Sequence, residues 1–154
     1  MYCCSTCPDA VARIKGGEEA PHLCGEVRFY QECGNVLVVA DISGMPDCGG
    51  TGFFALHIHE GDSCGGEDFS RTGGHYDSKE TTHPHHAGDL PPLMRCRDRA
   101  FLAVRTDRFC VQEVIGKTVV IHDGPDDFRS QPAGNAGKKI ACGVICKKCV
   151  ASSR

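Results

Sequence analysis

Short apolar stretches alternate with polar breaks along this chain, a pattern typical of β-strands joined by turns. The apolar stretches are rich in valine, isoleucine and phenylalanine, and none gives a sustained helical period. Turn residues such as ECGN (32–35) separate neighbouring stretches. The predicted strands are AVARIKG (10–16), GEVRFYQ (25–31), NVLVVADISGM (35–45), FFALHIH (53–59), AFLAVRTDRF (100–109), KTVVIHD (117–123) and KKIACGVIC (138–146).

Two segments interrupt the strand pattern and are too polar for a hydrophobic core. Residues 60–93 are mostly Gly, Pro, Ser, Thr, His and Asp, and residues 124–137 read GPDDFRSQPAGNAG. Long irregular segments often carry binding or catalytic residues. We therefore expect an all-β fold of about eight antiparallel strands, a sandwich or a Greek-key barrel, whose two long loops carry the chemistry. Residues 1–154 are expected to form one domain.

Composition and charge narrow the class of partner. The net charge is −3 without any basic run, which argues against nucleic acid or an anionic membrane and favours a small substrate. The start, MYCCSTCPDA, lacks the apolar core of a signal peptide, and no apolar run could span a bilayer, so a cytoplasmic location is expected. In such a reducing compartment, twelve cysteines indicate metal binding, redox chemistry or free thiols.

Histidines are concentrated around the first long loop. His57 and His59 occupy positions i and i+2 of a predicted strand, so their side chains share one face and can converge on one ion. The loop adds further histidines and an aspartate within fifteen residues. Imidazole and carboxylate are ligands that suit zinc or copper. The loop residues are His75, His83, His85, His86 and Asp89.

Five motifs together match one known family. HIHEGDSC, GGHYD, HHAGDLPPL, VVIHDGPDD and GNAGKKIACGVI resemble the copper/zinc superoxide dismutases, especially the bacterial branch, from Ala10 to Ile145. The resemblance implies that the copper ligands are His57, His59, His75 and His122. It implies that the zinc ligands are His75, His83, His86 and Asp89. His75 would bridge the two ions and, in the family mechanism, deliver a proton to the nascent peroxide.

The resemblance also assigns residues around the metals. Asp126 matches an acid that hydrogen-bonds one copper and one zinc histidine, although GPDD is also good turn sequence. Cys64 and Cys142 match the family's intrachain disulfide. Lys139 stands where most relatives carry an arginine beside copper. A lysine keeps the positive charge that attracts superoxide but lacks the two-pronged donor group of arginine.

Three residues near these motifs have two interpretations each. His85 could replace a neighbouring histidine as a zinc ligand, but the spacing of the other histidines fits the family pattern better. Arg129 and Lys138 could help to steer an anion, or they could be solvated loop residues.

Cysteines at both chain ends lie outside the resemblance. CCSTC and CKKC each contain a C-x-x-C pair. The first and last strands of this fold are expected to be antiparallel neighbours, which would bring the pairs together as ligands of a structural zinc ion. Disulfides or free thiols are the alternatives. The residues are Cys4, Cys7, Cys146 and Cys149, with Cys3 as a substitute for Cys4.

These observations predict a superoxide dismutase with copper and zinc as cofactors and with Lys139 and His75 as catalytic residues. One alternative is a module of the same fold that binds zinc or copper without efficient turnover. Another is a thiol-rich redox or metal buffer in which the cysteines matter more than the histidines. A homodimer is a further expectation from the family, through a face that the sequence leaves open.

Overall fold

The computed structural model describes residues 7–47 and 50–148. Strands account for most of the regular structure. A short 3₁₀ segment (Glu67–Thr72) lies in the first long loop, and a short helix α1 (Val111–Val114) follows the seventh strand. The strands are β1 (Ala10–Gly16), β2 (Cys24–Gln31), β3 (Val36–Ser43), β4 (Phe53–Phe54), β5 (Leu56–His59), β6 (Leu93–Cys96), β7 (Arg99–Thr106), β8 (Thr118–His122) and β9 (Lys139–Lys147).

The strands form one antiparallel sheet in the order β4-β6-β7-β3-β2-β1-β9-β8-β5. β4 and β5 follow each other in the chain, separated only by Ala55, yet they stand at opposite ends of this order. The sheet therefore curves back on itself into a nearly closed barrel. This confirms the all-β prediction and selects the Greek-key barrel over the sandwich.

The core lies inside the barrel and follows the period of two in the sequence. In β3, Val36, Val38, Ala40 and Ile42 are fully buried, while the residues between them are partly exposed. Along β5 and β8, in contrast, every residue is buried. Their outer faces must therefore be covered, and the two long loops supply that cover.

The predicted strand FFALHIH is divided in two. The backbone N–H of Ala55 donates to the carbonyl of Gly124, and β4 turns away to pair with β6 while β5 pairs with β8. The strand β6 was not predicted, because it has only four residues and directly follows two prolines. The strand predicted over 100–109 ends earlier, at Thr106, and α1 begins soon afterwards.

The last strand is held in two ways. β1 and β9 are antiparallel neighbours, with Val11 opposite Cys146, as expected from the sequence. A disulfide joins Cys64, in the first long loop, to Cys142 in β9, which confirms the predicted bridge. It closes a loop over a separation of 78 residues. By loop-closure entropy such a link stabilises the fold by about 4 to 5 kcal/mol.

Among the described residues, no helix has the length and apolar character needed to cross a membrane.

Candidate metal centre

Two groups of potential metal ligands lie side by side at the covered face of the barrel. In each group the ligand atoms all lie within 4.8 Å of one another. His75 belongs to both. The first, which we call the copper group, comprises His57, His59, His75 and His122. The second, the zinc group, comprises His75, His83, His86 and Asp89.

The open edge of β5 brings the two groups together. On one side β5 pairs with β8, whereas its other edge pairs with the first long loop. Ile58 N–H donates to the carbonyl of Gly88 at 2.9 Å, and Ile58 O accepts from the Tyr76 N–H at 2.8 Å. A Cβ atom at residue 88 would lie 2.3 Å from Ile58 O, so this close approach requires glycine. The loop ligands thereby lie directly above the strand histidines.

Backbone carbonyls orient two histidines of the copper group. His59 Nδ1 donates to the carbonyl of Gly73 at 2.8 Å, and His122 Nδ1 donates to the carbonyl of Gly137 at 3.3 Å. These partners assign the proton to Nδ1 of each ring. The two Nε2 atoms then carry lone pairs, and they face each other at 3.4 Å. Two buried lone pairs at this distance repel unless a cation lies between them.

The carboxylate of Asp126 connects the two groups. Its Oδ2 lies 2.8 Å from His57 Nε2, and its Oδ1 lies 2.8 Å from His83 Nε2. These two hydrogen bonds leave Nδ1 as the available metal-binding nitrogen of both rings. The N–H of Phe128 also donates to Oδ1, at 2.7 Å. Asp126 therefore has the position that the family resemblance implied, between one histidine of each group.

The zinc group converges on the carboxylate of Asp89. Oδ1 lies 2.7 Å from His75 Nδ1, and Oδ2 lies 3.1 Å from His83 Nδ1 and 3.3 Å from His86 Nδ1. Tetrahedral ligation at about 2.0 to 2.1 Å puts neighbouring ligand atoms roughly 3.3 Å apart. The observed spacing therefore suits a zinc ion.

Unpartnered nitrogens test whether metal ions fit. Four buried imidazole nitrogens in the described residues have no hydrogen-bond partner, although buried polar atoms normally have one. A cation in each group would satisfy all four. The residues present thus fit a copper and a zinc ion bridged by His75. The four atoms are His57 Nδ1, His75 Nε2, His83 Nδ1 and His86 Nδ1.

Burial keeps His57, His59 and His122 of the copper group neutral, as metal ligands must be. Desolvation lowers the pKa of His59 to about 2 and that of His122 to about 3. Desolvation also lowers the pKa of His57. Burial alone would raise the pKa of Asp126, but hydrogen bonds, first from His57 and then from Phe128 N–H and His83, lower it to about 2. Asp126 therefore stays ionised beside the two rings that it orients.

Lys139 is fixed beside the copper group. Its ammonium donates to Thr72 Oγ1 at 2.8 Å and to the carbonyl of Gly73 at 3.1 Å, the same carbonyl that orients His59. Partial burial lowers the pKa of Lys139. After burial and the other contacts, its charge further lowers the pKa of both His59 and His122. The Lys139 ammonium thus acts on two histidines of the copper group.

The remaining predicted residues are placed as follows. His85 is exposed and belongs to neither ligand group. Lys138 pairs with Glu19 at 2.5 Å, and Arg129 is exposed. A surface cleft of about 380 Å³ reaches His122 and is lined by the second long loop.

Of the ligands predicted for the terminal zinc site, the structure describes Cys7 and Cys146. Both are exposed, and Cys146 lies in extended backbone opposite Val11. Cys4 and Cys149, like the substitute Cys3, lie outside the described residues, so the terminal zinc site stays a prediction.

Sequence reasoning missed the contacts made through backbone carbonyls and through Gln131. Gln131 Oε1 accepts from His83 N–H at 3.1 Å, and Gln131 Nε2 donates to His83 O at 2.7 Å. A backbone carbonyl such as Gly73 O cannot be predicted from the residue type. The glycine at position 134 is a usable signal, because a Cβ there would lie 2.1 Å from Asp126 Oδ1.

Comparisons with known proteins agree with this arrangement. The family profile described as "Copper/zinc superoxide dismutase (SODC)" matches residues 23–145. Copper-zinc superoxide dismutase 1 of Aquifex aeolicus is 35% identical over 137 residues, which cover 79% of each chain. The copper-zinc superoxide dismutase of Caulobacter vibrioides is 30% identical over 153 residues, covering 88% of this chain and 83% of the relative. The copper chaperone for superoxide dismutase of Mus musculus is 29% identical over 167 residues, covering 93% of this chain and 60% of the relative.

The buried neutral histidines make a prediction for the metal-free protein. His59 and His122 bind no proton in the folded chain, whereas in the unfolded chain they bind one below about pH 6.5. The free energy of unfolding therefore has its full value above that pH and decreases as the pH falls, by about 2 kcal/mol per histidine between pH 7.5 and 5. Urea unfolding of chelator-treated protein at both pH values measures the loss. His122→Gln should make this loss of unfolding free energy smaller. His22→Gln, which changes an exposed histidine, is the control and should leave the loss as it is. Equal stability at both pH values would contradict the account.

Proposed function

The chain belongs to the copper/zinc superoxide dismutase family, and from that premise we propose that it dismutates superoxide at the copper group. One superoxide gives up its electron and leaves as dioxygen, and the next takes up that electron with two protons and leaves as hydrogen peroxide. The observation that carries the proposal is the sharing of His75 by two ligand groups whose unpartnered nitrogens converge.

We assign the ligand atoms of His57, His59, His83 and His122 by the nitrogen that the hydrogen bond of each ring leaves available, and those of His75 and His86 by their place in the ligand groups. Copper would be held by His57 Nδ1 and by Nε2 of His59, His75 and His122. Zinc would be held by Nδ1 of His75, His83 and His86 and by the Asp89 carboxylate. Bound copper would supply the reversible one-electron step, and bound zinc, which has no redox change, would fix the loop and the shared ring.

His75 has the properties of a proton donor at this site. Its Nδ1 lies 2.7 Å from the Asp89 carboxylate, which fixes the ring from the zinc side. Its Nε2 is buried without a partner and points into the copper group. This nitrogen would also hold copper, so it could carry a proton and donate it to an adjacent anion only while it is released from the ion.

Lys139 supplies the charge that attracts the substrate. Thr72 and the Gly73 carbonyl fix its ammonium next to His59. The adjacent Lys138 is paired with Glu19 and therefore contributes less net charge near the copper group. A fixed cation next to a reactive centre raises the local concentration and the on-rate of a small anion.

The alternative of metal binding without turnover has one observation in its favour. The chain matches a copper chaperone over 93% of its length as well as the dismutases. A full set of four copper-group histidines favours the enzyme, because redox cycling depends on ligands that serve both oxidation states.

We further propose a homodimer formed through the outer faces of β4, β6 and β7. Phe53, Met94 and Phe101 are 41%, 60% and 64% exposed, and the strand registers place them in one row. The ion pair Arg99–Asp41 flanks this row. Such an apolar row with balanced flanking charges can pack against its own copy without net repulsion.

The cytoplasmic location stays a prediction.

Copper dependence tests the enzyme function. The protein reconstituted with copper and zinc should accelerate superoxide decay, and the zinc-only form should not. His59→Ala should abolish the acceleration, because loss of one imidazole changes the geometry and the potential of the ion together. Pulse radiolysis or stopped-flow absorbance measures the decay. Stoichiometric copper binding without acceleration would support the metal-binding module, and metal uptake that thiol blocking removes would support the thiol buffer.

Charge substitutions test Lys139. Lys139→Glu should slow turnover about tenfold at low salt, whereas Lys139→Arg should preserve or raise it. The difference should shrink as the ionic strength rises. Lys138→Glu is the matched control and should have a smaller effect, because Glu19 already neutralises Lys138. Equal rates for both Lys139 variants at low salt would place this lysine outside substrate attraction.

The dimer proposal is tested by sedimentation equilibrium of the metal-loaded protein. Met94→Glu would bury a charge in the apolar row and should convert dimer to monomer. Phe128→Ser removes a comparable exposed side chain elsewhere and should leave the mass unchanged. A monomeric wild-type protein, or a dimer that survives Met94→Glu, would refute this interface.

A further inference from the structure

The zinc loop, which we define as residues 82–91, is contacted from outside the metal site by one arginine. Arg108 Nη1 donates to the carbonyl oxygens of Pro84, His86 and Asp89 at 3.0, 3.2 and 3.2 Å. Two of these residues are zinc-group ligands, and the third follows a ligand directly in the chain. One guanidinium nitrogen thus connects the backbone beside all three ligands that the loop provides.

The backbone that carries Arg108 is anchored to the barrel. The next residue, Phe109, is buried and meets the ring of Phe29 edge to face at a centroid distance of 6.4 Å. The N–H of Val111 donates to the Gln31 side-chain oxygen at 2.8 Å. Arg108 therefore extends from a fixed point to a loop that has no regular secondary structure of its own.

The contacts of Arg108 leave the metal ligands available. It bonds the backbone oxygen of Asp89 and not the carboxylate, which remains directed at the zinc-group imidazoles. Arg108 also lines a surface cavity of about 320 Å³ with Pro84 and Leu90, so it reaches the loop from the solvent side. At the start of the loop, Gln131 holds both backbone polar groups of His83.

We propose that Arg108 is a positioning residue that holds the zinc loop in its metal-binding shape before the ion arrives. The inference builds on the zinc site of the proposed function. A charged donor makes stronger hydrogen bonds than a neutral one, and its removal takes a donor away from three loop carbonyls, of which the His86 carbonyl keeps the Asp89 N–H at 3.2 Å. The loop can then relax, and binding of the ion must include the cost of ordering it.

Zinc affinity and loop exchange test this role together. In Arg108→Ala the zinc dissociation constant, from chelator competition, should rise about 10- to 100-fold, as for other residues that orient ligands. Arg108→Lys keeps a compact charge but lacks the planar guanidinium, so its zinc dissociation constant should lie between those of Arg108→Ala and wild type. Arg13→Ala, which removes an exposed arginine of β1, is the control and should match wild type. In the metal-free protein, amide exchange of residues 82–91 should accelerate in Arg108→Ala while exchange in β3 and β7 does not.

Two results would overturn the proposal. One is an unchanged exchange rate in residues 82–91 of metal-free Arg108→Ala, whatever the zinc affinity. The other is faster exchange throughout the barrel, which would make Arg108 a general stability residue. Since the exchange measurement uses the metal-free protein, it decides the role of Arg108 even if the wild-type chain fails to bind zinc, a failure that would instead refute the zinc site.

Discussion

Both metal groups depend on one carboxylate that binds no metal in our assignment. Asp126 accepts hydrogen bonds from His57 and His83, one ring from each group, and so determines which nitrogen each ring presents. The two groups are therefore not independently adjustable, because any displacement of Asp126 turns both rings. Gly134 packs against this carboxylate so closely that no side chain could replace its hydrogen. The close packing of Gly134 in the second long loop thus fixes a ligand of each group through the same carboxylate.

The barrel and the loops contribute differently to the site. β5 and β8 supply three copper-group histidines on hydrogen-bonded strands, so those rings start from a rigid frame. The zinc group comes from loop residues, and the loop is attached to the exposed edge of β5 through Ile58. The Cys64–Cys142 disulfide attaches the same loop region to β9, and Lys139, in β9, bonds Thr72 and Gly73. The irregular first loop is thereby attached to β5 and β9 at several points around the ligand groups.

Much of this arrangement could be predicted from the sequence, for identifiable reasons. The period of two predicted β1, β2 and β3 with boundaries within two residues of the observed ones, since their inward and outward faces differ strongly. The division of FFALHIH could not be predicted, because it depends on the tertiary hydrogen bond between Ala55 and Gly124. The histidines and Asp126 were placed by family motifs, whereas the carbonyls of Gly73 and Gly137 and the side chain of Gln131 act through geometry that appears only after folding.

The central claim is that hydrogen bonds to oxygen atoms select the metal-binding nitrogen of His57, His59, His83 and His122, and that His75 offers one nitrogen to each metal group. Anomalous diffraction at the copper and zinc edges from crystals of the metal-loaded protein tests it most directly. The account predicts copper at His57 Nδ1 and at Nε2 of His59, His75 and His122, with zinc at the carboxylate of Asp89 and at Nδ1 of His75, His83 and His86. Copper bound through His57 Nε2, or zinc bound by His85, would contradict it.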